Sequence, residues 1–440
     1  MAREAGRARR RFAVALIAVA ALVLSACTSA ADANDAHTQV EAPFDSGLTE
    51  RLDAALAEAM TLAGASGAIA GVWAPWAGQW VVAPGTTTID GGTSMSTDMR
   101  FRIAANTRSM TCTVLLRLVD EGRVKLSDTI DMYLKRASGV EKITLGQLCQ
   151  NTSGLADYNS ELAPHFVNNP TRIWPPLEVV SSGIAANRVS EPGGAFASSD
   201  TGYVLLGLTL QAATNQDWDS LYKQYIFDPL DLDATSFPAA SELEIAGSHP
   251  HGYAAALAPD GSKVCEVVRD ETELSNSMRW VSGGVVSDLE DMKVWSQALA
   301  DGRLLSEKSS DAQWATIPLG GDTPSWQAYG LGVQQLGPMR GHAGAIPGFL
   351  SAMLVDPASG LTIVVMLNNS NAGAGFAQTL AERLASIASK APSAGEESAP
   401  LLELPWSEEQ TVATMQAAAV CQPPPPPAEE PPAEEPPAEG

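Results

Sequence analysis

The side chains able to attack a carbonyl or move a proton gather in a few short stretches. Phe101-Arg102-Ile103 suits a strand, Ala104-Ala105-Asn106 a tight turn, and Thr107 opens a long amphipathic run. Such a strand-turn-helix frame presents its first helical residues where unpaired N–H groups and the helix dipole favour developing negative charge. Nucleophilic acyl transfer works in those surroundings. This chain offers Ala105 and Arg108 there. A methyl group cannot attack, and a guanidinium keeps its proton near neutral pH. Ser109 lies on nearly the same helix face as Ala105 but about 6 Å deeper, too far for near-attack geometry. Ser198-Ser199-Asp200 adds two hydroxyls and a carboxylate, and Gly341-His342-Ala343-Gly344 adds an imidazole. A serine nucleophile here has only Asp200 or His342 to take its proton.

Metal and cofactor chemistry find less. The histidines show no ligand spacing with cysteines or carboxylates beyond His249-x-His251, which reads as a loop turn. No G-x-G-x-x-G, P-loop or CxxC pair is present, so neither a metal nor an organic cofactor is expected. Trp73, Trp76 and Trp80 alternate imperfectly along one hairpin and read as core or sheet-face residues.

The elements that must position these residues follow from periodicity. Leu48, Leu52, Leu56 and Met60 recur at helical spacing, which predicts a helix over 48–62. Residues 67–82 alternate around a turn at Ala77-Gly78 and predict a hairpin. A strand over 100–103 leads to a helix over 107–121, closed by Gly122. Helices are expected over 145–149, 176–186, 201–213, 218–226 and 288–300, strand-like alternation over 249–285, three strands between Tyr329 and Leu367, and a closing helix over 376–387. Strands at both ends with helices between them predict an α+β fold, its antiparallel sheet built from the N- and C-terminal parts around an inserted helical region.

The chain has 440 residues, 45% of them hydrophobic, enough for a sizeable core. Its net charge of −24 argues against nucleic acid and anionic membrane surfaces as partners. Arg7, Arg9, Arg10 and Arg11 precede a short apolar run over 12–24, which reads as a signal peptide over 1–26. Leu24-Ser25-Ala26-Cys27 resembles a bacterial lipobox. It implies a diacylglycerol on Cys27, a polar tether over 27–46, and an exported protein held to the outer face of a bacterial cell membrane. An unrelated cysteine after an ordinary signal peptide is the alternative. A folded domain is expected over 47–390. A linker with a short helix follows over 391–420, where Ser407 and Gln410 form a capping box. Five consecutive prolines and Pro-Pro-Ala-Glu-Glu units then predict an extended, disordered acidic tail over 421–440, a solvated spacer or a ligand for a partner domain.

Four segments together resemble the serine β-lactamase and penicillin-binding protein family, in particular the class C β-lactamase and D-alanyl-D-alanine carboxypeptidase group. Residues 101–108 match its S-x-x-K turn, with Ala105 and Arg108 at the Ser and Lys positions. Asn151-Thr152-Ser153-Gly154-Leu155 matches H-T-S-G-L, with Asn151 for His. Pro192-Gly193 to Tyr203 matches P-G-x-x-x-x-Y-S-N-T-x-Y, with Ser198 for the Tyr and Asp200 for the Asn of Y-x-N. His342 and Gly344 stand as in the family's H-x-G. The resemblance spans roughly residues 47–390. It implies the β-lactamase/transpeptidase-like fold and a cleft lined by Asn151, His342 and Gly344. In the family the Ser attacks, Lys and Tyr share proton transfer, and backbone N–H groups hold the oxyanion. Here the nucleophile, lysine and tyrosine are all replaced. The Arg and Asp replacements match in charge, so an Arg108–Asp200 ion pair is expected where the family has a Lys–Asn hydrogen bond. The resemblance also brings Cys112 and Cys149 to the borders of one site, either bridged or as two buried thiols.

The expected function is a catalytically inactive surface lipoprotein of this family that binds a peptidoglycan-related or peptide ligand. One alternative is an active carboxypeptidase, esterase or β-lactamase whose nucleophile has moved to Ser109, Ser198 or Ser199. Another is a lipid-anchored scaffold that acts through its Pro/Glu tail.

Overall fold

The computed structural model describes residues 37–135, 138–395 and 398–422. The signal peptide, Cys27, most of the tether and the tail from 423 onward lie outside the described residues. Helix α1 (Ser46–Ala63) starts at Asp45, whose carboxylate accepts the Leu48 N–H, and ends at Gly64 in the left-handed conformation. Hairpin β1 (Ala68–Ala74) and β2 (Gly78–Val82) follows, then β3 (Phe101–Arg102) and α2 (Thr107–Asp120). The helical region comprises α3 (Leu145–Cys149), α4 (Asn159–Asn168), α5 (Pro176–Ala185), α6 (Asp200–Thr214) and α7 (Trp218–Tyr222). Next come β4 (Tyr253–Leu257), β5 (Lys263–Asp270), β6 (Val286–Ser287), α8 (Leu289–Asp301), α9 (Glu307–Gln313), β7 (Ile317–Pro318), β8 (Gln327–Tyr329) and β9 (Gln334–Leu336). The chain closes with β10 (Met339–Ile346), β11 (Phe349–Val355), β12 (Thr362–Leu367), α10 (Ala374–Ala388) and α11 (Glu408–Ala418).

The main sheet runs β2-β1-β12-β11-β10-β9-β8-β7 and is antiparallel throughout. Pairing of β1 with β12 joins the two ends of the domain, as the α+β reading requires. Side chains alternate across this sheet with period two. Ile69, Trp73, Val364 and Met366 enter the core shared with α2 and the helical region. Ala70, Val72, Val365 and Leu367 face the core under α1 and α10. Both faces are covered, so β11 and β12 are apolar apart from Ser351 and Thr362.

Several expectations change on folding. Residues 329–367 hold β9 to β12 and the end of β8, because strands of three residues are too short to show alternation. The alternating stretch 249–285 contains β4 and β5, then two 3-10 turns at Asn276–Met278 and Trp280–Ser282. The helix expected to Ile226 is α-helical to Tyr222 and continues as one π-turn over Lys223–Phe227. The segment read as a linker over 391–420 is packed: Trp406 is buried, Met415 is fully buried, and Arg51 meets Glu408 at 2.6 Å. Two apolar anchors in an Ala/Pro/Glu-rich background were too sparse to register as a core-facing helix. A disulfide then ties Cys421 to Cys265 on β5.

Candidate functional site

The turn that leads into α2 is a 3-10 turn over Ala104–Asn106. Ala104 has φ +50°, a strained value for an alanine. Asn106 holds the turn by donating to the Ile103 carbonyl at 3.0 Å and to Ser351 Oγ on β11 at 2.8 Å. Strand β10 passes against it. A Cβ on Gly344 would stand 2.3 Å from the Ala105 nitrogen, so only glycine fits. The geometry for presenting residue 105 is thus complete, and the residue presented is a methyl group.

Arg108 is the second residue of α2. Its Nη1 donates to Ser198 Oγ at 2.9 Å and its Nη2 to Asp200 Oδ1 at 2.5 Å, while the guanidinium sits 4.9 Å from the Tyr203 ring centre. Asp200 is fully buried in the first turn of α6, where the helix dipole favours a carboxylate. Its other oxygen accepts from Arg279 and from Asn159 Nδ2. One carboxylate therefore serves two guanidinium groups and an amide. Burial works against the charge of Arg108, but Tyr329, Tyr203 and Asp157 outweigh it and hold its pKa above the usual arginine value. Burial lowers the Arg279 pKa, with Tyr158 and Asp157 opposing. An arginine so placed still keeps its proton at neutral pH.

His342 is 2% exposed. Burial, reinforced by Arg108, pushes its pKa down to about 3, so the ring is neutral. Its Nδ1 lies 2.8 Å from the Ala343 carbonyl, which can only accept, so the proton sits on Nδ1. Nε2 then accepts from the Tyr329 hydroxyl at 3.0 Å, and Tyr329 in turn contacts the Tyr203 hydroxyl at 3.0 Å. The Tyr203 hydroxyl gives its own proton to the Cys149 carbonyl at 2.8 Å, so Tyr203, Tyr329 and His342 form one buried polar cluster in which the two hydroxyls touch without a proton to share. Asn151 has φ +57°, and its Oδ1 accepts the Ser199 N–H at 3.1 Å, which ties its loop to the start of α6. Cys112, one turn beyond Arg108, is disulfide-bonded to Cys149 at the end of α3. The bridge staples both walls of the site.

None of the alternative hydroxyls is set up to attack. Ser109 is fully buried, donates to the Asn106 carbonyl at 2.6 Å and accepts from Trp295 Nε1 at 3.1 Å. Ser199 caps α6 and donates to the Ala156 carbonyl at 3.1 Å. Ser198 is exposed but accepts from Arg108, and both Asp200 oxygens are taken by cationic or amide donors. Among the described residues, no carboxylate or imidazole is hydrogen-bonded to Ser198 Oγ.

A cavity of about 160 Å³ opens beside Arg279, walled by Phe166, Val167, Leu257, Lys263 and Ala345. Ile346 and Phe349 close the two-residue turn Pro347-Gly348 as the first pair of the β10–β11 hairpin. Alternation from that pair turns the Ala345 N–H and C=O away from β11, and β9 pairs with β10 only as far as Gly341. The edge of β10 at Ala345 is therefore unpaired by any strand among the described residues.

Residues 52–388 match the beta-lactamase family model. The chain belongs to the beta-lactamase family. Within it, the D-alanyl-D-alanine-carboxypeptidase/endopeptidase AmpH of Escherichia coli is 25% identical over 297 residues, 62% of this chain and 72% of that protein. Protein flp of Staphylococcus aureus is 26% identical over 305 residues, 64% of this chain and 56% of that protein. Against these two beta-lactamase relatives the chain thus spans between 56% and 72% of their length. The crystal structure of a D-stereospecific amidohydrolase from Streptomyces superimposes with a TM-score of 0.64 at 26% identity, covering 74% of this chain and 94% of that one. That amidohydrolase shares the fold described above.

Sequence reasoning placed Ala105, Arg108, Asn151, Ser198, Asp200, His342 and Gly344, and the fold brings them together through the contacts of Arg108, Asn151, Tyr329 and Gly344. It missed Arg279, Asn159 and Tyr329. Arg279 stands 79 residues from Asp200 and belongs to no motif, so no local signal marks it. Tyr329 carried one signal, the run Tyr329-Gly330-Leu331-Gly332 that opens the β9 turn.

Proposed function

We propose that this protein is a non-catalytic, ligand-binding member of the beta-lactamase family, exported and anchored through a lipid on Cys27 to the outer face of a bacterial cell membrane. The reading rests on one observation. The residue on the turn that opens α2 is Ala105, and the residue in the family's proton-transfer position, Arg108, is locked to Asp200 at 2.5 Å. A pocket without nucleophile or free base binds without turning over. The ligand class is a peptide or peptidoglycan-related fragment ending in a D-amino acid. Support comes from relatives named for D-alanyl-D-alanine and D-stereospecific substrates. It comes also from the open Ala345 edge, which suits an extended backbone, and from Arg279 and Lys263 lining the cavity beside it.

The same relatives are named as hydrolases, which favours a second reading as an active enzyme, and one experiment separates the two. Purified protein is exposed to a fluorescent penicillin and a fluorophosphonate. No covalent labelling is expected, whereas Ala105→Ser/Arg108→Lys/Ser198→Tyr/Asp200→Asn acquires it. Stoichiometric labelling of the unaltered protein, abolished by Ser198→Ala, overturns the proposal. Muropeptides should raise the melting temperature of the unaltered protein and leave that of Arg279→Gln unchanged. For the anchor, incorporation of an alkyne fatty acid should disappear in Cys27→Ser.

A further inference from the structure

A second pocket, of about 470 Å³, shares no residue with the cleft. Three segments build it: residues 324–327 entering β8, one face of α10, and residues 405–414 running into α11. The last wall lies beyond residue 388, where the family match ends, so the pocket is a feature of this chain's C-terminal segment. That segment is firmly seated. Trp406 is buried, its indole Nε1 donates to the Glu382 carbonyl at 3.0 Å, and its ring lies 5.3 Å from that of Trp326.

Glu382 lines this pocket although it is only 5% exposed. One carboxylate oxygen accepts from Gln378 Nε2 at 2.9 Å, and among the described residues no side-chain or backbone donor is hydrogen-bonded to the other. Among the described residues, no lysine, arginine or histidine lines the space. The neighbouring cation on α10, Arg383, is engaged by Glu58 at 2.8 Å, and Glu408 at the start of α11 is engaged by Arg51. A carboxylate in these surroundings either holds a proton or takes a cation from outside. Burial, opposed only by the Gln378 hydrogen bond, pushes its pKa up to about 7. Beside it, two indole rings form an apolar wall, and aromatic faces attract cations. Prolines 324 and 405 stiffen the rim.

We propose that the pocket between α10 and α11 binds a small organic ammonium ion, with its charge on Glu382 and its alkyl body against Trp326 and Trp406. A neutral ligand of the same shape forgoes the carboxylate, and a metal ion forgoes the indoles. The carboxylate is the binding form, so the ligand displaces its proton. Among the described residues that line all three segments, Glu382 is the only titratable group. Affinity therefore rises with pH through about 7 and is about tenfold weaker at pH 6 than at pH 8.

The test titrates the full chain with tetramethylammonium and butylammonium, against tert-butanol and butanol as neutral counterparts and glucose as a stacking control. Calorimetry and tryptophan fluorescence read the binding. Saturable ammonium binding is expected at pH 8, with the pH dependence above and at least tenfold weaker binding in Glu382→Gln. Trp326→Leu, which leaves the carboxylate in place, should weaken binding about fivefold and keeps the test decisive if Glu382→Gln does not fold. Absence of ammonium binding, equal binding of the alcohols or of glucose, or full retention of affinity in either folded variant overturns the proposal.

Discussion

Asp200→Asn probes the charge arrangement at the centre of the cleft. Asp200 is fully buried, and its two oxygens hold Arg108, Arg279 and Asn159. The amide keeps the shape but removes the one carboxylate that contacts both guanidinium groups among the described residues, leaving Asp157 as a more distant negative charge. Breaking a buried pair from one side costs about 3–5 kcal/mol. Two like charges near contact add repulsion on the order of 4 kcal/mol at an effective dielectric constant of about 20. Part of that repulsion relaxes, because the Arg279 side chain is 23% exposed and can turn toward water. A loss of about 4–5 kcal/mol is therefore expected. Arg108→Gln has a different consequence. It leaves Asp200 paired with Arg279 and Asn159, and the expected loss is about 1–3 kcal/mol. The ordering is the sharper prediction: Asp200→Asn costs more than Arg108→Gln, and the double variant costs less than the sum because it strands one guanidinium instead of two. Urea unfolding at pH 7, followed by tryptophan fluorescence, measures all three. The reasoning fails if Asp200→Asn lies within 1 kcal/mol of the parent, roughly the size of an ordinary surface change, or if Arg108→Gln is the more damaging substitution.

Two further outcomes follow from the same site. His342 is neutral in the folded protein with a pKa near 3, while the unfolded chain takes its proton near 6.5. Its contribution to stability is present above pH 6.5 and is lost as pH falls toward 3. Between pH 7 and pH 5 the loss is about 2 kcal/mol, and His342→Asn should lack that part of the acid sensitivity when unfolding midpoints are compared across pH. Gly344→Ala would bring a Cβ within 2.3 Å of the Ala105 nitrogen and 2.8 Å of the Ala104 Cβ. Backbone must move to admit it, so a loss of about 1–3 kcal/mol is expected in urea unfolding. A change below about 0.5 kcal/mol, the ordinary range of a surface substitution, would show that β10 does not press on the turn as described.

Much of the frame was legible because it is written locally. Leu48, Leu52 and Leu56 recur at helical spacing and are buried on α1, and the Ser407–Gln410 capping box starts α11 as its residue types require. The motif order placed Ala105, Arg108, Ser198 and Asp200 within one site before any contact was known. The matched charges at 108 and 200 pointed to an ion pair. What stayed hidden depends on residues that meet only when the chain closes. Nothing near Arg279 marks it as the second partner of Asp200, nothing near Tyr329 marks it as the link between Tyr203 and His342, and the composition of 391–420 conceals the burial of Trp406 and Met415.

The sequence alone determined which groups are present at position 105 and its neighbours, since the absence of a hydroxyl and of a removable proton is a property of residue types. It also determined which faces of strands and helices are apolar, since periodicity follows from backbone geometry. Only the tertiary structure decided the electrical state of those groups. Desolvation, the sharing of one carboxylate by two arginines, and the upward push on Glu382 depend on which distant segments exclude water from each side chain. That is settled by packing across the whole chain and leaves no trace in any short stretch of it.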